Sequence, residues 1–267
     1  MVSAVVLSCG SARWPGTGGP AVTALPARPG REELSEILAG LDGRRLVVCG
    51  TDADLAAVLL RLLRTNVVGT VPVGYVPVVA SSAVARLWGL PTAPSTAADL
   101  ALRGKPDRVP LVRDDAGGVL VGLGMVRPVD GVAYCDDEVV LRGQAARLEV
   151  APDRALGLVV RVVRGGLLHG GLLHGGLLRH RAVRQAAGRA VQLRCAPTDV
   201  WRDGVADRTT DRWTWYRHTE DWQLVRPWPP GVSGTPSGWQ LSQLAAVTYR
   251  QRSSNREPTP RATGRPR

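Results

Sequence analysis

The sequence predicts an α/β unit built on a parallel sheet, followed by an antiparallel β-sandwich and an irregular tail. Three observations carry this. Up to residue 107, short apolar runs alternate with segments of helical spacing, the rhythm of parallel strands with helices laid over them. From residue 108 the apolar period falls to two, and Asp- and Gly-rich turns separate short segments, the pattern of antiparallel strands. After residue 228 the chain becomes rich in Pro, Ser, Gly, Thr and Arg, a mixture with too little apolar surface to build a core. The expected organisation is an α/β domain at 1–107, a β-sandwich domain at 108–228 that carries a repeat loop at 165–179, and a disordered tail at 229–267.

In order along the chain, residues 2–7 read as a first buried strand, 15–30 as a Gly/Pro-rich loop, and 31–40 as a helix with Leu34, Ile37 and Leu38 on its apolar face, ended by Gly40. Residues 46–49 form the next strand. The helix from Asp52 to Arg64 places Leu55, Val58, Leu59 and Leu62 on one face. A strand at 71–78 precedes a short helix at 82–88 closed by Gly89, and Ser95 or Thr96 is the expected N-cap of a helix at 97–103. Strands follow near 108–113, 118–126, 138–142, 146–151, 158–163 and 189–194, with turns at 114–117 and 136–137. Trp213 and Trp215 alternate like strand residues, and 222–225 reads as a last strand that completes the first unit or closes the sandwich. The tryptophans are expected to pack in the core or at sheet edges.

Residues 46–58 run an apolar strand into the turn Gly50-Thr51-Asp52-Ala53-Asp54 and then a helix. Such a turn can aim backbone N–H groups and the positive end of a helix at one anion. A loop that wraps phosphate needs glycines for close approach, and here only Gly50 remains. A second segment, Pro77 to Pro91, follows about twenty residues after that helix. Together the two resemble the diacylglycerol kinase catalytic-domain family of lipid kinases, kin to NAD kinases. The first lies on the family's G-G-D-G-T-L-N-E-V without a gap. The second lies on P-L-G-T-G-N-D-F-A-R-x-L-G-L-P and keeps Pro77, Ala85, Arg86, Gly89, Leu90 and Pro91. Val79, Ala80, Ser81 and Ser82 stand where the family has Gly, Thr, Gly and Asn.

The resemblance implies an α/β domain followed by a β-sandwich, with ATP-dependent phosphoryl transfer to a lipid hydroxyl using ATP and Mg²⁺. It places the nucleotide-binding remnant at Gly50, Thr51, Asp52, Ala53, Asp54, Ala80, Ser81 and Ser82. It also implies losses. Thr51 and Ala53 replace glycines, Asp54 replaces a threonine and adds negative charge, Pro110 stands in place of a v-D-l aspartate, and after Asp203-Gly204 the glutamate expected as general base is Val205. A valine cannot accept a proton. No catalytic residue or metal ligand is assigned on this basis, and the expectation is a catalytically impaired or inactive family member. The alternatives are an active lipid kinase with an altered site, or a non-enzymatic protein that engages anionic lipid or nucleic acid through basic segments. Read without the resemblance, Asp52 is a cap for the helix that follows it, Ser81 or Ser82 a cap for the next, and Arg86 a residue packed at the sheet edge or paired with an acid.

Composition limits other readings. The net charge is +11, and residues 161–194, with seven Arg and no acid, and 250–267, with six Arg and one Glu, account for all of it. No nucleic-acid module or interleaving of aromatic and basic residues accompanies that charge, so DNA or RNA is not an expected partner. The four cysteines are scattered without a C-x-x-C pair, which points to neither a zinc site nor a disulfide framework. Gly16 to Gly19 lacks a following lysine and reads as a loop. The tract GGLLH-GGLLH-GGLLR at 165–179 is too short in period for a solenoid, and His169, His174 and His180 share no helix face. A small apolar patch at 241–247 reads as a transient helix. No apolar run approaches the roughly 20 residues that span a bilayer. The expected location is the cytoplasm, with peripheral membrane contact.

Overall fold

A computed structural model describes residues 3–16, 20–164 and 181–227. The glycine-rich repeat with its histidines, the apolar patch at 241–247 and the tail expectation lie outside the described residues.

The chain is mostly sheet with four helices among the described residues. Strands β1 (Ala4–Cys9), β2 (Val22–Leu25), β3 (Arg45–Gly50) and β4 (Pro72–Pro77) pair in parallel in the order β2-β1-β3-β4. Their side chains are buried on both faces in β3, as expected where helices cover a parallel sheet. Helices α1 (Arg31–Ala39) and α2 (Asp52–Arg64) cover one face, where Leu34, Leu55, Val58, Leu59 and Leu62 pack on Leu46, Val48 and Val73. Helix α3 (Ala83–Trp88) is capped by Ser82 and closed by Gly89 in the left-handed conformation, so both predicted ends are present.

Helix α4 (Pro94–Arg103) covers the other face with Ala97, Ala98 and Ala101. It begins earlier than expected, at Pro94 after Ala93, without the predicted serine or threonine side-chain cap. Proline at the first helical position needs no N–H partner and presets φ. The helix sits close to β4, because a Cβ on Gly74 would stand 2.6 Å from the carbonyl oxygen of Ala101. Buried Arg45 holds its far end by donating to the carbonyls of Ala101 (3.1 Å), Leu102 (2.5 Å) and Gly104 (2.8 Å), groups a helix terminus otherwise leaves unpaired.

The second half is antiparallel: β5 (Lys105–Asp114), β6 (Val119–Leu120), β7 (Gly124–Arg127), β8 (Val129–Cys135), β9 (Glu138–Ala145), β10 (Arg147–Asp153), β11 (Gly157–Arg164), β12 (Arg181–Gly188), β13 (Ala190–Arg202) and β14 (Val205–Arg226). Val126, Val150, Val160, Leu193, Trp213 and Trp215 form its core, with the two indoles edge-on at 5.9 Å. Trp213, Trp215 and Trp222 are buried core residues. β14 joins the two halves. It pairs antiparallel with β13 and β5, and then its end runs parallel to β4 through Gln223 opposite Pro72 and Leu224 opposite Val73.

The structure departs from the sequence reading at four further places. The loop at 15–30 contains β2, an exposed edge strand with no buried face to give it an apolar period. The first strand starts at Ala4 and runs through Cys9. β8 and β12 were not expected. The strand predicted at 118–126 is interrupted, because the N–H groups of residues 121–123 turn away from the ladder toward Asp203.

Candidate functional site

The turn after β3 is closed by its own side chains. Thr51 is the N-cap of α2, and its hydroxyl accepts from the N–H of Asp54 at 3.3 Å. Asp54 Oδ2 in return accepts from the N–H of Thr51 and from its hydroxyl, both at 2.8 Å, and Oδ1 accepts from the N–H of Arg28 at 2.6 Å. This reciprocal capping satisfies donors at the helix start. It also lays the carboxylate over Gly50, where an added Cβ would stand 2.7 Å from Asp54 Oδ2. The residue that replaces the motif's threonine thus sits in the concavity of the turn, and Gly50 is needed to make room for it.

Asp52 does not cap α2, contrary to the sequence reading; Thr51 does. Asp52 reaches across to α3, where Oδ2 accepts from the N–H groups of Ala83 (2.7 Å) and Val84 (3.4 Å). Oδ1 accepts from the Ser82 hydroxyl (2.5 Å) and from Tyr75 (2.8 Å), whose hydroxyl also lies 3.1 Å from the carbonyl of Gly50. Ser82 Oγ in turn accepts from the N–H of Ala85 at 2.9 Å. The two sequence segments therefore meet in one buried network. Burial raises the Asp52 carboxyl above its ordinary value even though all these bonds favour the anion. Burial, and then the charge of Asp52, hold the Tyr75 phenol well above its usual range, so it stays protonated. Ala80 is exposed and Ser81 half-buried; Ser81 offers its carbonyl to the Arg86 guanidinium at 3.0 Å.

In the sequence Asp203 stands out only as the start of an Asp-Gly turn. It and Gly204 both have positive φ, +48° and +86°, the conformation of a tight two-residue hairpin between β13 and β14. Its carboxylate accepts from the N–H groups of Val121 (3.1 Å), Gly122 (2.7 Å) and Leu123 (3.1 Å). Gly122 separates it from α3, because a Cβ there would meet Ala83 Cβ at 2.9 Å and Asp203 Oδ1 at 3.1 Å. Burial, and then the nearby charge of Asp52, push the Asp203 carboxyl up to about 7. Two buried carboxylates from distant parts of the chain thus face one another around the start of α3.

Val205 and Ala53 line a cavity of about 180 Å³ between the outer face of α2 and the hairpin, together with Arg28, Ala57, Asp203 and Arg202. Arg202 is tied to Asp114 at 2.9 Å and Asp207 at 2.6 Å. Asp52 and Ser82 do not line this cavity. Pro110 lies within β5 opposite Asp221 of β14. The structure thus brings Asp52 and Ser82 together and seats Asp203 beside them. Val205 lies with Ala53 in the adjoining cavity, and Pro110 belongs to the β5–β14 pairing.

No protein-family model and no curated protein sequence matches the chain. Solved structures do. A diacylglycerol kinase from Bacillus anthracis str. Sterne superposes with a TM-score of 0.58 at 12% identity, covering 85% of this chain and 97% of that one. A candidate diacylglycerol kinase from the same organism superposes at 0.61 with 11% identity and the same coverage. At such low identity what is shared is the path of the backbone, and this chain has the fold of the diacylglycerol kinases.

Proposed function

We propose that this protein is a lipid-kinase-like protein that has lost phosphoryl transfer from ATP and works by binding. In this reading residues 1–107 are the remnant of the nucleotide domain and 108–228 the β-sandwich domain. One observation carries it: the carboxylate of Asp54 already accepts the N–H of Thr51 and lies against Gly50, in the concavity where such a turn holds an anion. A phosphate brought within about 4 Å of that carboxylate would meet a repulsion of about 4 kcal/mol at an effective dielectric of about 20, roughly a thousandfold in affinity. Mg²⁺ and ATP, which the fold implies, do not fit these residues. Asp52 has both oxygens engaged by four donors, and the adjoining cavity of about 180 Å³ is below the roughly 300 Å³ at which ligand pockets begin. The base position is Val205. No chemical step is assigned to the site.

Titration calorimetry with Mg-ATP is the test. The wild-type protein is expected to give no binding heat, and Asp54→Thr, which removes the carboxylate and restores the motif's threonine, is expected to gain measurable affinity. Micromolar binding by the wild type that Asp52→Ala abolishes, together with phosphorylation of a lipid by the purified protein, would overturn the proposal in favour of an active kinase with an altered site.

A further inference from the structure

The outer face of the antiparallel half of the sheet carries a row of arginines whose side chains form no ion pair with an acid among the described residues. Arg142 of β9 lies opposite Val132 of β8, Val132 opposite Arg194 of β13, and Arg194 opposite Arg212 of β14. Their inward neighbours Leu141, Leu193 and Trp213 are buried in the core, so strand alternation points all three guanidinium groups outward, and all three residues are exposed. Among the described residues no ion pair or hydrogen bond engages any of the three guanidinium groups; the Thr210 hydroxyl bonds only to the backbone of Arg212. Arg194 and Arg212 stand directly across from one another, an arrangement of like charges that opposes strand pairing. Three strand spacings set the row's length at about 14 Å. Tyr134, 39% exposed, stands two residues from Val132 on the same face. Two acids lie near the row: Asp130 is held by the Gln144 amide at 3.0 Å, and Asp211, exposed next to Arg212, lies close enough to Cys195 that its charge adds to burial in raising that thiol. Farther along, Glu138 pairs with Arg184 and Asp136 accepts the N–H of Arg189.

We propose that this sheet face is a docking surface for a bilayer containing anionic phospholipid, with Arg142, Arg194 and Arg212 reaching headgroup phosphates and Tyr134 entering the interface. Charge complementarity calls for a phosphate-bearing partner. The shape selects the bilayer over nucleic acid. The face is a plane of adjacent strands with one exposed ring, whereas single strands are held by successive stacking aromatics and a duplex is read by an element that enters a groove. Tyrosine suits the membrane interface because its ring is apolar and its hydroxyl polar. This surface is separate from the Asp52 network and does not depend on whether ATP binds.

The test is co-sedimentation of the full chain with phosphatidylcholine vesicles, with and without phosphatidylglycerol, at low salt. Binding only to the anionic vesicles is expected. Each arginine near such a surface contributes about fivefold, so the combined Arg142→Ser, Arg194→Ser and Arg212→Ser variant should bind roughly a hundredfold more weakly. Its thermal melt should match that of the wild type, and the single change Arg194→Glu should weaken binding in the same direction. A matched variant, Arg261→Ser with Arg265→Ser and Arg267→Ser, controls for the basic tail. Absence of wild-type binding, loss only in the tail variant, or unchanged binding by the sheet variant would overturn the proposal. So would a single-stranded oligonucleotide that binds more tightly than the vesicles and depends on the same three arginines.

Discussion

Asp203 makes the stability of this protein run against the usual pH trend for a carboxylate. Its carboxyl is carried from 3.8 to about 7, burial being the larger cause and the charge of Asp52 the next. A carboxyl whose folded value exceeds its unfolded value contributes stability that is fully present below about pH 4 and is lost as the pH rises through about 7. At about 1.4 kcal/mol for each unit of difference, the whole effect is about 4 kcal/mol, and about 2 kcal/mol of it falls between pH 5.5 and pH 8. Urea unfolding of the wild type and of Asp203→Asn across that range isolates it. Asparagine tolerates the left-handed backbone at this position, so the hairpin should survive. The expected result is a wild-type stability that falls by about 2 kcal/mol relative to the variant as the pH is raised from 5.5 to 8. Asp52→Asn removes the neighbouring charge and should move the midpoint to lower pH. Parallel pH profiles for the wild type and Asp203→Asn would refute the reasoning, since the group would then titrate alike folded and unfolded.

Other perturbations follow from the packing. Gly74→Ala would place its methyl 2.6 Å from the Ala101 carbonyl, a backbone atom that cannot step aside, so α4 must shift at a cost of about 1–3 kcal/mol, read by denaturant unfolding. Arg45→Met keeps most of the side-chain volume but leaves three carbonyls at the end of α4 without their donor, and about 2–3 kcal/mol of stability should be lost, with faster hydrogen exchange in α4.

The parts legible in the sequence are those fixed by neighbours in the chain. The strand–turn–helix at 46–64 could be read because its apolar spacing lies within a few residues, although the cap read there, Asp52, proved to be Thr51. The same holds for α3, whose cap Ser82 and stop Gly89 are local signals. β2 had no such signal, because an exposed edge strand buries neither face. The irregular end of α4 was hidden because Arg45, which satisfies it, lies 56 to 59 residues away.

The sequence by itself determined the four helices and most of the strands, the parallel pairing of the first half and the substitutions at the two family-like segments. Only the tertiary structure decided what the carboxylates, substituted or retained, do. Asp54 folds back onto Gly50, Asp52 caps a helix 31 residues away, and Asp203 takes three N–H groups from a segment about 80 residues earlier, breaking the strand predicted there. A carboxylate's role depends on which donors surround it and how much water is excluded. Sequence fixes that for a helix cap within one turn, but not for donors that only folding brings to it.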